Sequence, residues 1–191
     1  KQIHSEFSEN KVQFEMIKKF HKKSFKSCQW MLKNQPFKTV NLDSLRYHSL
    51  WARVSYTFDP SQSSIKSLIS SGSINLIQDF ELRELLIRWQ DLINDYLEEE
   101  IEMRKFTLDL FMPFILDNFK LYTDDERFDE VLNFEQKQLE KYLNLIARKK
   151  RILNEILFVA SDRENKKAKT EIEKVSTTMD LIIDKTNLQQ N

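Results

Sequence analysis

The sequence is nearly devoid of glycine. It has one, Gly72, in 191 residues, where average usage of about 7% would give roughly thirteen. Hairpins and many sheet turns need residues that tolerate positive φ, so such a chain has few of them. Proline is scarce too, at Pro36, Pro60 and Pro113, which leaves long stretches with nothing to interrupt a helix. Cys28 is the only cysteine, so no disulfide forms within the chain. The longest apolar run, Leu110 to Leu116, falls far short of the ~20 residues of a membrane span. Charge of one sign is not in excess either, with 30 Lys+Arg against 30 Asp+Glu. A nucleic-acid binder usually shows a net basic charge or a segregated basic face, and no nucleic-acid partner is expected.

What is present defines a folded chain. Apolar residues make up 40% and charged residues 31%, the balance of a globular protein, and the length suits one domain over residues 1–191. Phenylalanine is abundant, at 14, and can fill seams between helices.

Hydrophobic spacing predicts helices. Ile3, Phe7, Phe14, Ile17, His21, Phe25, Cys28 and Leu32 recur three, four and seven apart and mark one face of a helix over 2–33. Pro36 stops it, because the residue before proline leaves the α region. A short helix is expected over 43–54, capped by Asp43. Asp59 with Pro60 then reads as a helix start, a cap followed by a proline in the first helical position, for a helix over 60–71. Gly72 is expected to end that helix as its left-handed residue. Asp79 opens the next element, whose apolar positions run from Leu82 through Trp89, Tyr96, Ile101 and Leu108 to Phe119. This predicts a helix over 79–122, about 65 Å long at a rise of about 1.5 Å per residue, kinked or divided at Pro113. After a polar turn at Thr123–Glu126, a last helix is expected over 135–187. No glycine or proline breaks it between Ser161 and Glu171, where Ala168 is the only apolar residue. The predicted fold is all-α: an elongated antiparallel bundle of three long helices joined by two short ones.

Few groups point to chemistry. His4, His21 and His48 fall in no Glu-x-x-His or His-Glu-x-x-His pattern, so no metal ligand set is indicated. His21 lies on an apolar stripe, where a hydrogen-bonded core histidine is the simpler reading. Cys28 reads as a small buried hydrophobe. An enzyme or metal protein built around His21 and Cys28 is the remaining chemical alternative. Glu98, Glu99, Glu100 and Glu102 form an acidic cluster that reads as a solvated face. Arg148 to Arg151 form a basic cluster that would meet anionic lipid or nucleic acid, or pair with acidic faces of neighbouring helices. One glycine cannot build a phosphate-binding loop or a nucleophile elbow, and no catalytic residue or cofactor is assigned.

Two stretches carry a resemblance. One is Ile3-His4-Ser5-Glu6-Phe7 with Glu9-Asn10-Lys11, followed by His21-Lys22-Lys23-Ser24. The other is Phe58-Asp59-Pro60 through Ser70-Ser71-Gly72-Ser73-Ile74-Asn75-Leu76-Ile77, followed by Glu81-Leu82-Arg83. Together they resemble a family of uncharacterised bacterial single-pass membrane proteins, in which a soluble α-helical domain follows one N-terminal transmembrane helix. The resemblance implies an anchor upstream of Lys1, lost by truncation, and a domain held outside the cytoplasm, in the periplasm. The family has no assigned activity, so it supplies no catalytic residues. The expectation is a non-enzymatic interaction or sensory domain with a protein partner. A soluble scaffold that self-associates through leftover apolar surface is the alternative.

Overall fold

The computed structural model describes residues 1–120, 130–159 and 169–188. Among them the chain is all-α, with no β-strand. The helices are α1 (Gln2–Lys33), α2 (Leu42–Arg53), α3 (Ser63–Ser70), α4 (Phe80–Phe106), α5 (Met112–Asn118), α6 (Gln136–Phe158) and α7 (Glu171–Leu188). The expected polar turn at 123–126 lies outside the described residues.

More helices form than the three long and two short ones expected, and each difference has a local cause. The helix expected over 79–122 is divided. Before Pro113 the turn widens at Thr107–Phe111, where the Met112 N–H donates to the Thr107 carbonyl five residues back. Proline lacks an N–H and its ring crowds the carbonyl one turn earlier, so a widened turn relieves both problems. Pro113 then sits in the first turn of α5, which ends before Phe119, whose backbone is extended.

The helix expected over 135–187 is also divided, since Val159, Lys169 and Thr170 are not helical. Thr170 starts α7 with a reciprocal cap. The Glu173 N–H donates to the Thr170 hydroxyl at 3.2 Å, and the Thr170 N–H donates to the Glu173 carboxylate at 2.9 Å. This arrangement satisfies two donors that a helix start otherwise leaves bare. At α2 the cap is Asn41, whose side chain accepts from the Ser44 N–H at 3.0 Å. Asp43, expected there, lies in the first turn instead. Asp79 accepts from the Leu82 N–H at 3.0 Å at the start of α4.

The residues group into two compact units. Unit 1 comprises Lys1–Lys18, Phe58–Glu98 and Phe158–Asn191. Its core holds edge-on aromatic pairs: Phe7 with Trp89 at 4.9 Å, and Phe14 with Phe58 at 5.0 Å and Tyr96 at 5.3 Å. Ile172, Val175, Met179 and Ile182 of α7 are buried in it. Unit 2 comprises Lys19–Thr57 and Glu99–Leu157. There Tyr142 is fully buried among Phe111, Phe114, Phe119 and Phe134. Ile101 and Leu108, expected in the apolar stripe, are 51% and 56% exposed. Met103 and Phe111 of the same segments are fully buried.

Gly72 follows α3 with φ 72° and ψ 0°, and its N–H donates to the Ile69 carbonyl at 3.1 Å. A Cβ built there meets nothing within 4 Å, so a larger residue suffers from backbone strain alone. Gly72→Val should therefore lower unfolding free energy by about 1–2 kcal/mol, and Gly72→Asn by less. Urea unfolding of the two variants measures this; equal stability of both with the unchanged protein would contradict the strain.

Candidate functional site

In unit 1 the first polar centre joins α1 to the segment before α3. Glu6 and Asn10 lie on the buried stripe of α1 and are 7% and 3% exposed. One Glu6 carboxylate oxygen accepts from the Ser64 N–H at 2.9 Å, the Ser63 hydroxyl at 2.7 Å and the Ser61 hydroxyl at 3.2 Å. Asn10 grips Ser61 by both backbone groups, donating to its carbonyl and accepting from its N–H, each at 2.8 Å. These contacts correct the expected start of α3. Asp59 and Pro60 do not begin the helix, which starts at Ser63. The anion at its positive end comes from α1 rather than from a residue just ahead of it. Burial pushes the Glu6 carboxyl up, but the Ser64 N–H with the Ser63 and Ser61 hydroxyls outweighs it and holds it below the usual range. Beside this clasp runs a groove of about 420 Å³ lined by Ser5, Glu6, Glu9, Ser61, Ser63 and Ser67 among others.

Unit 2 encloses charged and polar side chains as well. His21 and Glu100 are 2% and 1% exposed, with His21 Nε2 2.8 Å from Glu100 Oε1. Glu100 is therefore not part of a solvated acidic face, although Glu98 and Glu102 are exposed. Lys149 is fully buried on the same stripe of α6 as Tyr142, Ile146 and Leu153. Its ammonium donates to the Arg53 carbonyl at 2.9 Å, the Val54 carbonyl at 2.6 Å and the Ser55 hydroxyl at 3.2 Å. A cation thus satisfies carbonyls left bare at the C-terminus of α2, where the helix dipole is negative. Desolvation pulls this amine down to about 8. Cys28 is fully buried, and desolvation pushes its thiol up to about 11, against the nearby Lys149 charge.

The residues singled out in the sequence are thus kept apart. His21 pairs with Glu100, whereas Cys28 lies two turns further along α1. His48 stacks on Trp30 at 4.4 Å and lies 3.0 Å from the Ser27 hydroxyl, and His4 belongs to unit 1. Among the described residues no three of His, Cys, Asp and Glu gather closely enough to hold a metal ion. A protonated thiol and an enclosed amine, both fully buried, are poor nucleophiles for an incoming substrate. Arg148 of the basic cluster pairs with Glu102 at 2.7 Å. Asp79 also binds Lys185 at 3.1 Å. Sequence reasoning passed over Glu6, Asn10 and Lys149. The signal that finds them is position: each is a polar residue where the helical period calls for an apolar one. No family model, curated protein or solved structure matches this chain.

Lys149 gives a pH signature. Its folded pKa lies below the ordinary 10.5, so the fold favours the uncharged amine, and stability should increase as pH climbs through about 8. Cys28 acts oppositely: its pKa is raised from 9.0 to about 11, so its contribution is full below 9.0 and declines above it. A net rise is therefore expected between about pH 8 and 9, read from urea midpoints, and Lys149→Met should abolish it. A rise that survives Lys149→Met would assign the effect elsewhere.

Proposed function

We propose that this chain is an interaction or sensory domain of a membrane-anchored bacterial protein. A helix upstream of Lys1 would hold it outside the cytoplasm, on the periplasmic side, and the domain would work by docking a protein partner rather than by catalysis. One observation carries this reading. Of the residues that resemble the anchored family, 3–11, 58–77 and 81–83 lie far apart in sequence but belong to unit 1, while 21–24 belongs to unit 2. Glu6 and Asn10 of the first clasp Ser61, Ser63 and Ser64 of the second. The same second stretch contains the Gly72 turn. A likeness split over two distant segments is what a shared folded unit would leave. The side chains best equipped for chemistry, His21, Cys28 and Lys149, are occupied in the interior.

In a sensory role, α1 is the element through which a shift would reach an upstream span. No helix among the described residues is long and apolar enough to cross a membrane, so this proposal places the anchor elsewhere in the protein. The scaffold alternative draws on exposed apolar side chains, chiefly Leu76, Val12 and Phe80 at 79%, 73% and 65%. The reading frame upstream of Lys1 tests the proposal. It should encode an apolar stretch of ~20 residues preceded by basic ones; a frame without one would overturn the anchored reading.

A further inference from the structure

Balanced totals of charge conceal a segregation. No acidic residue occurs between Met16 and Lys33, and Lys19, Lys22, Lys26 and Lys33 of that stretch are exposed. They are three, four and seven residues apart. At about 100° per residue they fall within an arc of about 60° and span about 21 Å along α1. That arc lies opposite buried Phe14, His21 and Cys28. On α4, Asp91, Asp95, Glu98 and Glu102 are exposed. Their spacing of four, three and four gives another arc of about 60°, about 16 Å long, opposite buried Trp89, Ile93 and Tyr96. Arg148 engages Glu102. Among the described residues no carboxylate pairs with the four lysines, and no basic group with Asp91, Asp95 or Glu98.

We propose that the lysine row on α1 docks a second copy of this chain through the acidic row on that copy's α4. The inference rests on the reading of the domain as an interaction module and names its partner. The rows match in sign, in helical spacing and nearly in length, and each occupies the solvent face of a helix whose other face is already buried. Two other occupants fit less well. Nucleobases need open ring faces. The rings beside this row are mostly engaged, with the Lys23 ammonium 3.6 Å over Trp51 and 5.0 Å over Tyr47 and His48 stacked on Trp30, which leaves Tyr47 45% exposed. A lipid surface needs apolar side chains to insert, and between Lys19 and Lys33 no large apolar side chain is exposed. Exposed charge pairs are weakened by salt, so the association is modest, concentration-dependent and salt-sensitive. The contact joins unlike patches, so it can extend beyond a dimer.

Sedimentation velocity on the intact chain tests this at about 50 mM and about 500 mM salt, where screening differs several-fold in range. The unchanged protein should be larger than a monomer at low salt and dissociate at high salt. Lys22→Glu with Lys26→Glu should weaken association at least tenfold, as should Asp95→Lys with Glu98→Lys. These positions are exposed, and circular dichroism will show both variants folded. Mixing the two variants should restore association, because the intact lysine row of one can dock the intact acidic row of the other. Three results would overturn the proposal. The first is a monomer at low salt. The second is association indifferent to charge reversal or strengthened by salt, which would point to Leu76 and Phe80. The third is a monomer that binds oligo(dT) or phosphatidylglycerol vesicles through Lys22 and Lys26, which would give the row another occupant. A monomer leaves the anchored reading standing on the upstream reading frame, so the two failures are distinguishable.

Discussion

The structure depends on one face of α1. Phe7, Phe14, His21 and Cys28 recur at every seventh residue, and none is more than 2% exposed. On α4, Trp89, Tyr96 and Met103 recur at the same interval and are equally buried. Phe7 meets Trp89, Phe14 meets Tyr96, and His21 meets Glu100. The register allows no slip. Turning α1 by a single residue would bring Ser8, Glu15 and Lys22 to the places of Phe7, Phe14 and His21. Burying two unpaired charges there would cost far more than any surface contact could return.

Within that frame, polar groups on the buried faces act as selectors. Glu6 satisfies the start of α3, Lys149 satisfies the end of α2, and His21 meets Glu100 across two helices. Each lies where an apolar residue would suit the period, and the first two answer backbone groups that a helix end leaves bare. Net stability from such centres is modest, because desolvation offsets much of the attraction. Their geometric demand is strict, since an alternative packing would strand a charge. This accounts for residues with apparent chemical potential that are enclosed rather than presented to solvent.

How legible this was varied with how local the cause is. The limits of α1 follow from an uninterrupted period and Pro36, the Asp79 cap from the residue beside its helix, and the left-handed Gly72 from the only glycine. The start of α3 was not legible, because the acceptor that sets it, Glu6, lies 57 residues before Ser63. Thr170-Glu171-Ile172-Glu173 does spell a reciprocal cap, yet absence of glycine and proline outweighed it. Lys149 was obscured by its basic neighbours, and Glu100 by its acidic ones. A run of like charge reads as a solvated face, but a helix turns a different side at each residue, so one member of each run points inward.

The central claim is that the buried face of α1 organises the molecule, and amide hydrogen exchange tests it most directly. The account predicts that amides from about residue 6 to residue 32 exchange among the slowest in the protein, opening only with global unfolding. Rapid exchange along α1 while α4 and α6 stay protected would contradict it.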